Sequence, residues 1–252
     1  AFDAAMKLGF VVNPVAGMGG KVGLKGTDDV VDEAVSRGAE KVAPRRAVEF
    51  LSRLKRSMEK EVVEVVACPG IMGEEEALEA GFAVEVLPMQ IGDVTSAEDT
   101  KAAVRLLVDA GVDLIVVVGG AGTARDVFDE MPGLAEVAVL GVPAGVKMYS
   151  GVFAVSPADA VDVVLAFARG EAEVSEFEVM DADESAIRAD VFAVKLHGYL
   201  RCPFLPLRVQ GSKMISPETV DERENQLAIA RFLVEGLEAD AVYVLGPGST
   251  VK

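Results

Sequence analysis

An α/β fold built on a doubly wound parallel sheet, followed by a smaller β-rich domain, is what three features of this sequence predict. The first is the aliphatic run Val112-Asp-Leu-Ile-Val-Val-Val118, which passes directly into Gly119-Gly120-Ala121-Gly122-Thr123 and then Ala-Arg-Asp-Val127. A short β-branched run bounded by glycines reads as a strand buried on both faces, and the residues after the glycines are periodic enough to begin a helix. The second feature is alternation of apolar runs with segments of helical period, the pattern of βα units. The third is a change of character at Glu173, after which strand-like segments succeed one another.

In chain order, Met6-Lys-Leu-Gly-Phe-Val-Val-Asn-Pro14 reads as a natural start and a first strand, with Ala1–Ala5 preceding it. Asp28 to Arg37 is apolar at 30, 31, 34 and 35 and stops at Gly38, a helix with a glycine C-cap. Pro44 opens a second helix with an apolar stripe at 47, 48, 51, 54 and 58. Val62 to Ala67 is a strand, Glu74 to Ala80 a short helix, and Ala83 to Leu87 another strand. Ser96 stands three residues before Asp99, a capping box that starts a helix running to Ala110 and closed by Gly111. The strand at Val112 comes next, then a helix from Ala124, a strand from Val137 to Val142, and a helix from Pro157 to Arg169. Val174 to Met180, Val191 to Leu196 and Leu205 to Val209 are the strands of the second domain. Val220 to Gly236 is a helix, and Ala241 to Leu245 a strand. The domain division is therefore 6–150 (α/β, nucleotide-binding), 151–220 (β-rich), and 221–252, a helix, strand and glycine turn returning toward the first domain. Because such a turn normally delivers the chain into another helix, the sequence is expected to be C-terminally incomplete.

With 252 residues, 51% of them hydrophobic, the chain can bury a sizeable core. Lys and Arg number 24 against 41 Asp and Glu, a net charge of −17, which repels a phosphate backbone and argues against nucleic acid as partner. The basic residues Arg45, Arg46, Arg53 and Arg56 recur at helical spacing and read as a solvated helix face. No apolar run reaches the roughly 18 residues of a membrane span and no signal pattern opens the chain, so we expect a cytoplasmic protein with no membrane partner. Cys68 and Cys202 fit no metal-ligand or redox spacing and read as buried thiols, and the single histidine, His197, leaves nothing for a histidine-based zinc site. Few Asn and Gln (Asn13, Asn225, Gln90, Gln210, Gln226) match the amide depletion of thermophile proteins.

The chemistry is concentrated where strands end in glycine. Unpaired N–H groups at a helix start, with the helix dipole behind them, bind anions such as phosphate. The Gly119, Gly120, Gly122, Thr123 turn has that form, with Thr123 as expected N-cap. Glycines after a buried strand also serve merely to turn a corner. Asn13-Pro-Val-Ala-Gly17-Met-Gly19-Gly20-Lys21 is a second such turn with a cation at its end, otherwise read as a surface loop. Pro143-Ala-Gly145 is a third, with Lys147 just beyond it, and Gly246-Pro-Gly248-Ser249-Thr250 a fourth. In open α/β sheets ligands collect at the carboxyl ends of the strands, where the first three turns converge. Asp181, Asp183 and Glu184 form an acidic group at a strand end, able to hold Mg²⁺ through carboxylates or to form a plain turn.

Gly119, Gly120, Gly122 and Thr123 match the Gly-Gly-Asp-Gly-Thr loop of the NAD kinase superfamily, which diacylglycerol and sphingosine kinases share distantly. The longer stretch Gly-Gly-Ala-Gly-Thr-Ala-Arg-Asp-Val, continued at Gly141-Val-Pro-Ala-Gly-Val-Lys-Met-Tyr149, resembles the archaeal and bacterial ATP-NAD kinase-like (AcoX-type) branch, and the likeness covers nearly the whole chain. Asn13-Pro14 through Gly17 is similar to the superfamily's first nucleotide-side loop. The resemblance implies a β-rich second domain completing a dinucleotide site, ATP as phosphate donor with Mg²⁺, NAD as acceptor, small-molecule nucleotide substrates only, a homo-oligomer, and nucleotide or substrate contacts near Lys147. It also implies a chain that continues beyond Lys252. Ala121 departs from the pattern: the family's aspartate, by resemblance, orients and deprotonates the ribose hydroxyl, and a methyl group has nothing with which to do so. Asp126, read as lying in the first helical turn, is a substitute base or a stabiliser of the helix start. Three readings result: an NAD kinase-type enzyme impaired at Ala121, a non-catalytic nucleotide-binding module, and a kinase for another hydroxyl acceptor.

Overall fold

Met6–Val12 (β1), Val63–Ala67 (β2), Val84–Val86 (β3), Leu114–Gly119 (β4) and Ala138–Pro143 (β5) pair in parallel as one sheet of order β3-β2-β1-β4-β5. The computed structural model describes residues 5–18, 36, 38–58, 62–92, 94–131, 137–145, 148–182, 194–206, 208, 209 and 234. Leu8 to Val12 of β1 lie in register with Leu114 to Val118 of β4, and Met6 to Phe10 with Val63 to Ala67 of β2. Every residue of β4 and β5 is buried, as an unbroken aliphatic strand requires when helices cover both of its faces.

Those helices are Ala43–Ser57 (α1), Glu74–Glu79 (α2), Ala97–Asp109 (α3), Ala121–Glu130 (α4) and Pro157–Ala168 (α5). Two neighbouring residues of β1 show how they are distributed. Phe10 stacks on Phe50 of α1, with ring centroids 6.1 Å apart. Gly9 faces the other way, where a Cβ would sit 3.1–3.2 Å from Val112 and from Leu107 of α3. Since side chains alternate across a strand, α1 and α3 cover opposite faces, the doubly wound arrangement. α1 contacts α2 and α5, and α3 contacts α4. The helix starts obey local chemistry. The backbone N–H and the hydroxyl of Ser96 both donate to Asp99 Oδ2, at 2.7 and 2.8 Å, and Gly111 closes α3 at φ +70°. Ser156 caps α5 by accepting from the Asp159 N–H at 3.2 Å.

The second sheet differs from the strands expected at 191–196 and 205–209. A single long strand, Val194–Phe204 (β7), pairs antiparallel with Glu173–Ala182 (β6), and 205–209 contributes only an isolated bridge from Val209 to Ala154. His197, Gly198 and Tyr199 interrupt the apolar pattern, and it is the pairing of Gly198 with Val179 and of Tyr199 with Glu178, with Leu196 and Leu200 paired on either side, that carries the strand through them. At the register shift between Val179 and Met180, where His197 is the extra residue on β7, the buried Ser150 hydroxyl accepts from the Met180 N–H at 2.9 Å and donates to its carbonyl at 2.8 Å. The hairpin also packs on α4, since a Cβ at Gly198 would lie 2.3 Å from the Phe128 ring.

Contact density groups Ala1–Lys213 as one compact unit and Met214–Lys252 as another, of which only Val234 is described. The helices expected at 28–37 and 220–236, Ser36 and Val234 apart, and the strand at 241–245 lie outside the described residues. No helix among the described residues is long and apolar enough to cross a membrane. Both cysteines are free and buried, and burial pushes the Cys68 thiol up to about 12 and the Cys202 thiol upward as well.

Candidate functional site

The order β3-β2-β1-β4-β5 reverses direction between β1 and β4, which opens a crevice at their carboxyl ends. Three strand exits meet there. The Asn13 N–H donates to the Val118 carbonyl at 2.9 Å, tying the end of β1 to β4. The Ala144 N–H donates to the Gly119 carbonyl at 2.9 Å, tying the exit of β5 to β4 from the other side. Gly17, at φ +80°, approaches the Ala144 carbonyl so closely that a Cβ would stand 2.0 Å from its oxygen. The convergence expected of these three turns is what the fold builds.

The centre of the site is the start of α4, and here the local expectations need correction. The helix begins at Ala121, not Ala124, so Gly120 is the N-cap and Thr123 is the third helical residue. Asp126 is accordingly the sixth, and the first turn carries no acidic residue at all. The reason is that Gly120 adopts the extended N-cap backbone (φ −119°, ψ −171°) without a side chain, while the Thr123 hydroxyl accepts from the Gly120 N–H at 3.3 Å. Thr123 is 3% exposed, and its hydroxyl also accepts from Asn13 Nδ2 at 3.0 Å, across the junction between β1 and β4. Asn13 in turn accepts from the Val15 N–H through Oδ1 at 3.2 Å, an Asx turn.

The two glycines before the helix have different duties. A Cβ at Gly119 would lie 2.6 Å from Thr123 Cβ and Oγ1, so glycine there makes room for Thr123. A Cβ at Gly120 would meet nothing within 4 Å among the described residues, so what glycine leaves there is space that none of them fills. The N–H groups of Ala121, Gly122 and Thr123 precede the first intrahelical bond, from Ala124 N–H to the Gly120 carbonyl at 3.1 Å, and have no acceptor among the described residues. Three N–H donors, the positive end of the helix dipole, unfilled space at Gly120 and no acid in the first turn together suit an anion.

The carboxylates expected nearby are engaged. Arg125 places Nη1 2.8 Å from Asp181 Oδ2 and Nη2 3.4 Å from Asp126 Oδ1, linking α4 to the end of β6. Asp126 is 7% exposed. Nothing in the local sequence around Arg125 or Ser150 signals these long-range partners, so sequence reasoning misses both. Among the described residues no group of three or more His, Cys, Asp or Glu is placed to hold a metal. Gly145 sits beside the buried Met148, whose Sδ would be 3.4 Å from a Cβ there. Gly19, Gly20, Lys21, Lys147, Asp183, Glu184, Gly246, Gly248, Ser249 and Thr250 lie outside the described residues.

The family profile of the ATP-NAD kinase N-terminal domain matches residues 8–172, about two thirds of the chain. The chain belongs to the NAD kinase superfamily. Searches of curated proteins and of solved structures return no match. The matched span of this NAD kinase-like domain contains the parallel sheet from Leu8 onward, the crevice and the whole of α4 and α5, and ends just before β6. Membership makes the chain a kinase-like transferase with a nucleotide-binding site.

Proposed function

We propose that the chain is an ATP-dependent phosphotransferase that passes the γ-phosphoryl group of ATP to the adenosine ribose hydroxyl of NAD, at a rate limited by Ala121. The observation that carries this reading is the donor-only start of α4, set at the sheet's switch point in a domain of this family. Phosphoryl transfer asks the protein mainly for positioning and charge stabilisation. In this reading the N–H groups of Ala121, Gly122 and Thr123 hold phosphate oxygens, Gly120 leaves room for them, and Asn13 and Gly17 fix the opposite wall. Gly19, Gly20, Lys21, Gly145 and Lys147 are proposed as further nucleotide contacts, residues 6–150 as the nucleotide-binding region and 151–220 as the part completing the site. We place the protein in the cytoplasm as a homo-oligomer.

Mg²⁺ enters as MgATP. The described carboxylates do not form a cage for it: Asp126 and Asp181 share Arg125, so no step is routed through a metal on this chain. Deprotonation of the acceptor hydroxyl is the step for which the first turn of α4 has no group. A positioned general base is typically worth about 10²- to 10⁴-fold in rate. Ala121→Asp should therefore raise NADP⁺ formation from NAD⁺ and MgATP by about that factor. Ala121 also favours one alternative, a nucleotide-binding module without turnover. That alternative predicts ATP binding by both forms and NADP⁺ formation by neither.

A further inference from the structure

Thr123 has a hydroxyl whose polarity its neighbours decide. A hydroxyl has one proton to give and two lone pairs with which to accept. One of its bonds comes from the Gly120 N–H, which can only donate. The other comes from Asn13, whose amide orientation is fixed by a third party: Oδ1 faces the Val15 N–H at 3.2 Å, so it must be the oxygen, and the group 3.0 Å from Thr123 Oγ1 must be the NH₂. Both lone pairs of Thr123 Oγ1 are thus committed. Its proton has no acceptor among the described residues, although the side chain is 97% buried and a buried donor ordinarily has one.

We infer that Asn13 is a positioning residue that turns Thr123 into an obligate hydrogen-bond donor, and that the acceptor is a phosphate oxygen of the nucleotide held at the start of α4. The inference rests on the nucleotide reading given above and makes it more specific. With no lone pair to spare, Thr123 does not ligate a cation and does not take a proton from an acceptor hydroxyl. It adds one directed O–H to the three N–H donors beside it, so the subsite recognises the phosphate chain and is indifferent to base and sugar.

The test is equilibrium binding of ATP and of adenosine to the full chain, read for each variant as the ratio of the two affinities. A hydrogen bond to a charged group is worth about tenfold or more, so Thr123→Val should weaken ATP about tenfold and leave adenosine unchanged. Thr123→Ser, which keeps the proton and both lone pairs, should restore ATP binding. In Asn13→Asp the carboxylate accepts the Thr123 proton itself, and ATP should again weaken about tenfold or more. In the Thr123→Val background the same substitution should cost about tenfold less than in the unaltered chain, because only the charge repulsion remains. An Asn13→Asp cost that is equal in both backgrounds, or a Thr123→Val protein that binds ATP as tightly as the unaltered chain, overturns the inference. If Thr123→Val loses adenosine as well, its fold has failed and the other pair decides: a ratio kept by Thr123→Ser and collapsed by Asn13→Asp supports the inference, and a ratio unchanged in both overturns it. An unaltered chain that binds neither ligand overturns the nucleotide reading, whereas one that binds both equally overturns the phosphate contact alone.

Discussion

Thr123 and Glu76 are both polar side chains almost wholly removed from water, at 3% and 5% exposure, yet they are treated in opposite ways. Thr123 sits where three strand exits meet, and each of its lone pairs has a backbone or amide donor. Glu76, on the short helix α2 facing α1, lines a cavity of about 650 Å³ with Lys41, Arg45, Val48 and Ile71, and its Oε2 is buried without a partner among the described residues. Burial, reinforced by the neighbouring Glu75 and Glu79, pushes the Glu76 carboxyl up to about 7 against backbone hydrogen bonds that act the other way. The difference separates a polar group held by a network from one whose own protonation must absorb the cost of burial.

The comparison can be broken most sharply at the glycines. Gly119→Ala forces a Cβ to within 2.6 Å of Thr123. It should cost about 1–3 kcal/mol of stability, read as a shift of the urea midpoint, and weaken ATP binding at least as much as Thr123→Val does because Thr123 is displaced. Gly120→Ala, one residue on, should lose under about 1 kcal/mol but still weaken ATP, since the methyl group fills only the space left for the ligand. If the two variants behave alike, the division of duties between these glycines is wrong.

Glu76 gives a smaller effect with a defined sign. Its folded-state pKa lies above the unfolded value, so the native state binds the proton more tightly, and the stability this contributes is complete below about pH 4.5 and lost as pH rises through about 7. Glu76→Gln, which cannot ionise, should match the unaltered chain near pH 5 and exceed it at pH 8 by on the order of 1–2 kcal/mol. Urea titrations at the two pH values check this, and equal stability differences at both would contradict it. The smallest effect is expected at the thiols. With burial holding Cys68 at about 12 and Cys202 raised too, neither should react with a disulfide reagent at pH 8 until urea unfolds the chain.

Much of the parallel sheet is legible in the sequence because its signals are local. An aliphatic run such as Leu114 to Val118 can be satisfied only by burial on both faces, and Ser96 with Asp99 marks a helix start wherever it occurs. The crevice is legible for a related reason, since strand ends rich in glycine announce themselves. What the sequence does not disclose are the decisions made by distant partners. The start of α4 moves forward to Ala121 because the Thr123 hydroxyl holds the Gly120 N–H and is itself held by Asn13, 110 positions earlier in the chain. Asp181 looks like part of an open acidic group until Arg125 is found 2.8 Å away. The strand β7 continues through His197-Gly198-Tyr199 because β6 lies beside it, a cause absent from those three residues.

The most direct measurement of the central claim, that the crevice at the start of α4 is the nucleotide site, is an amide chemical-shift titration of the isotope-labelled chain with MgATP. The amides of Gly120, Ala121, Gly122 and Thr123 should move first and furthest, with Asn13 next and Glu76 and its neighbours on α2 still. Shifts concentrated at α2 or on the β6–β7 hairpin, with those four amides unmoved at saturation, would contradict the account.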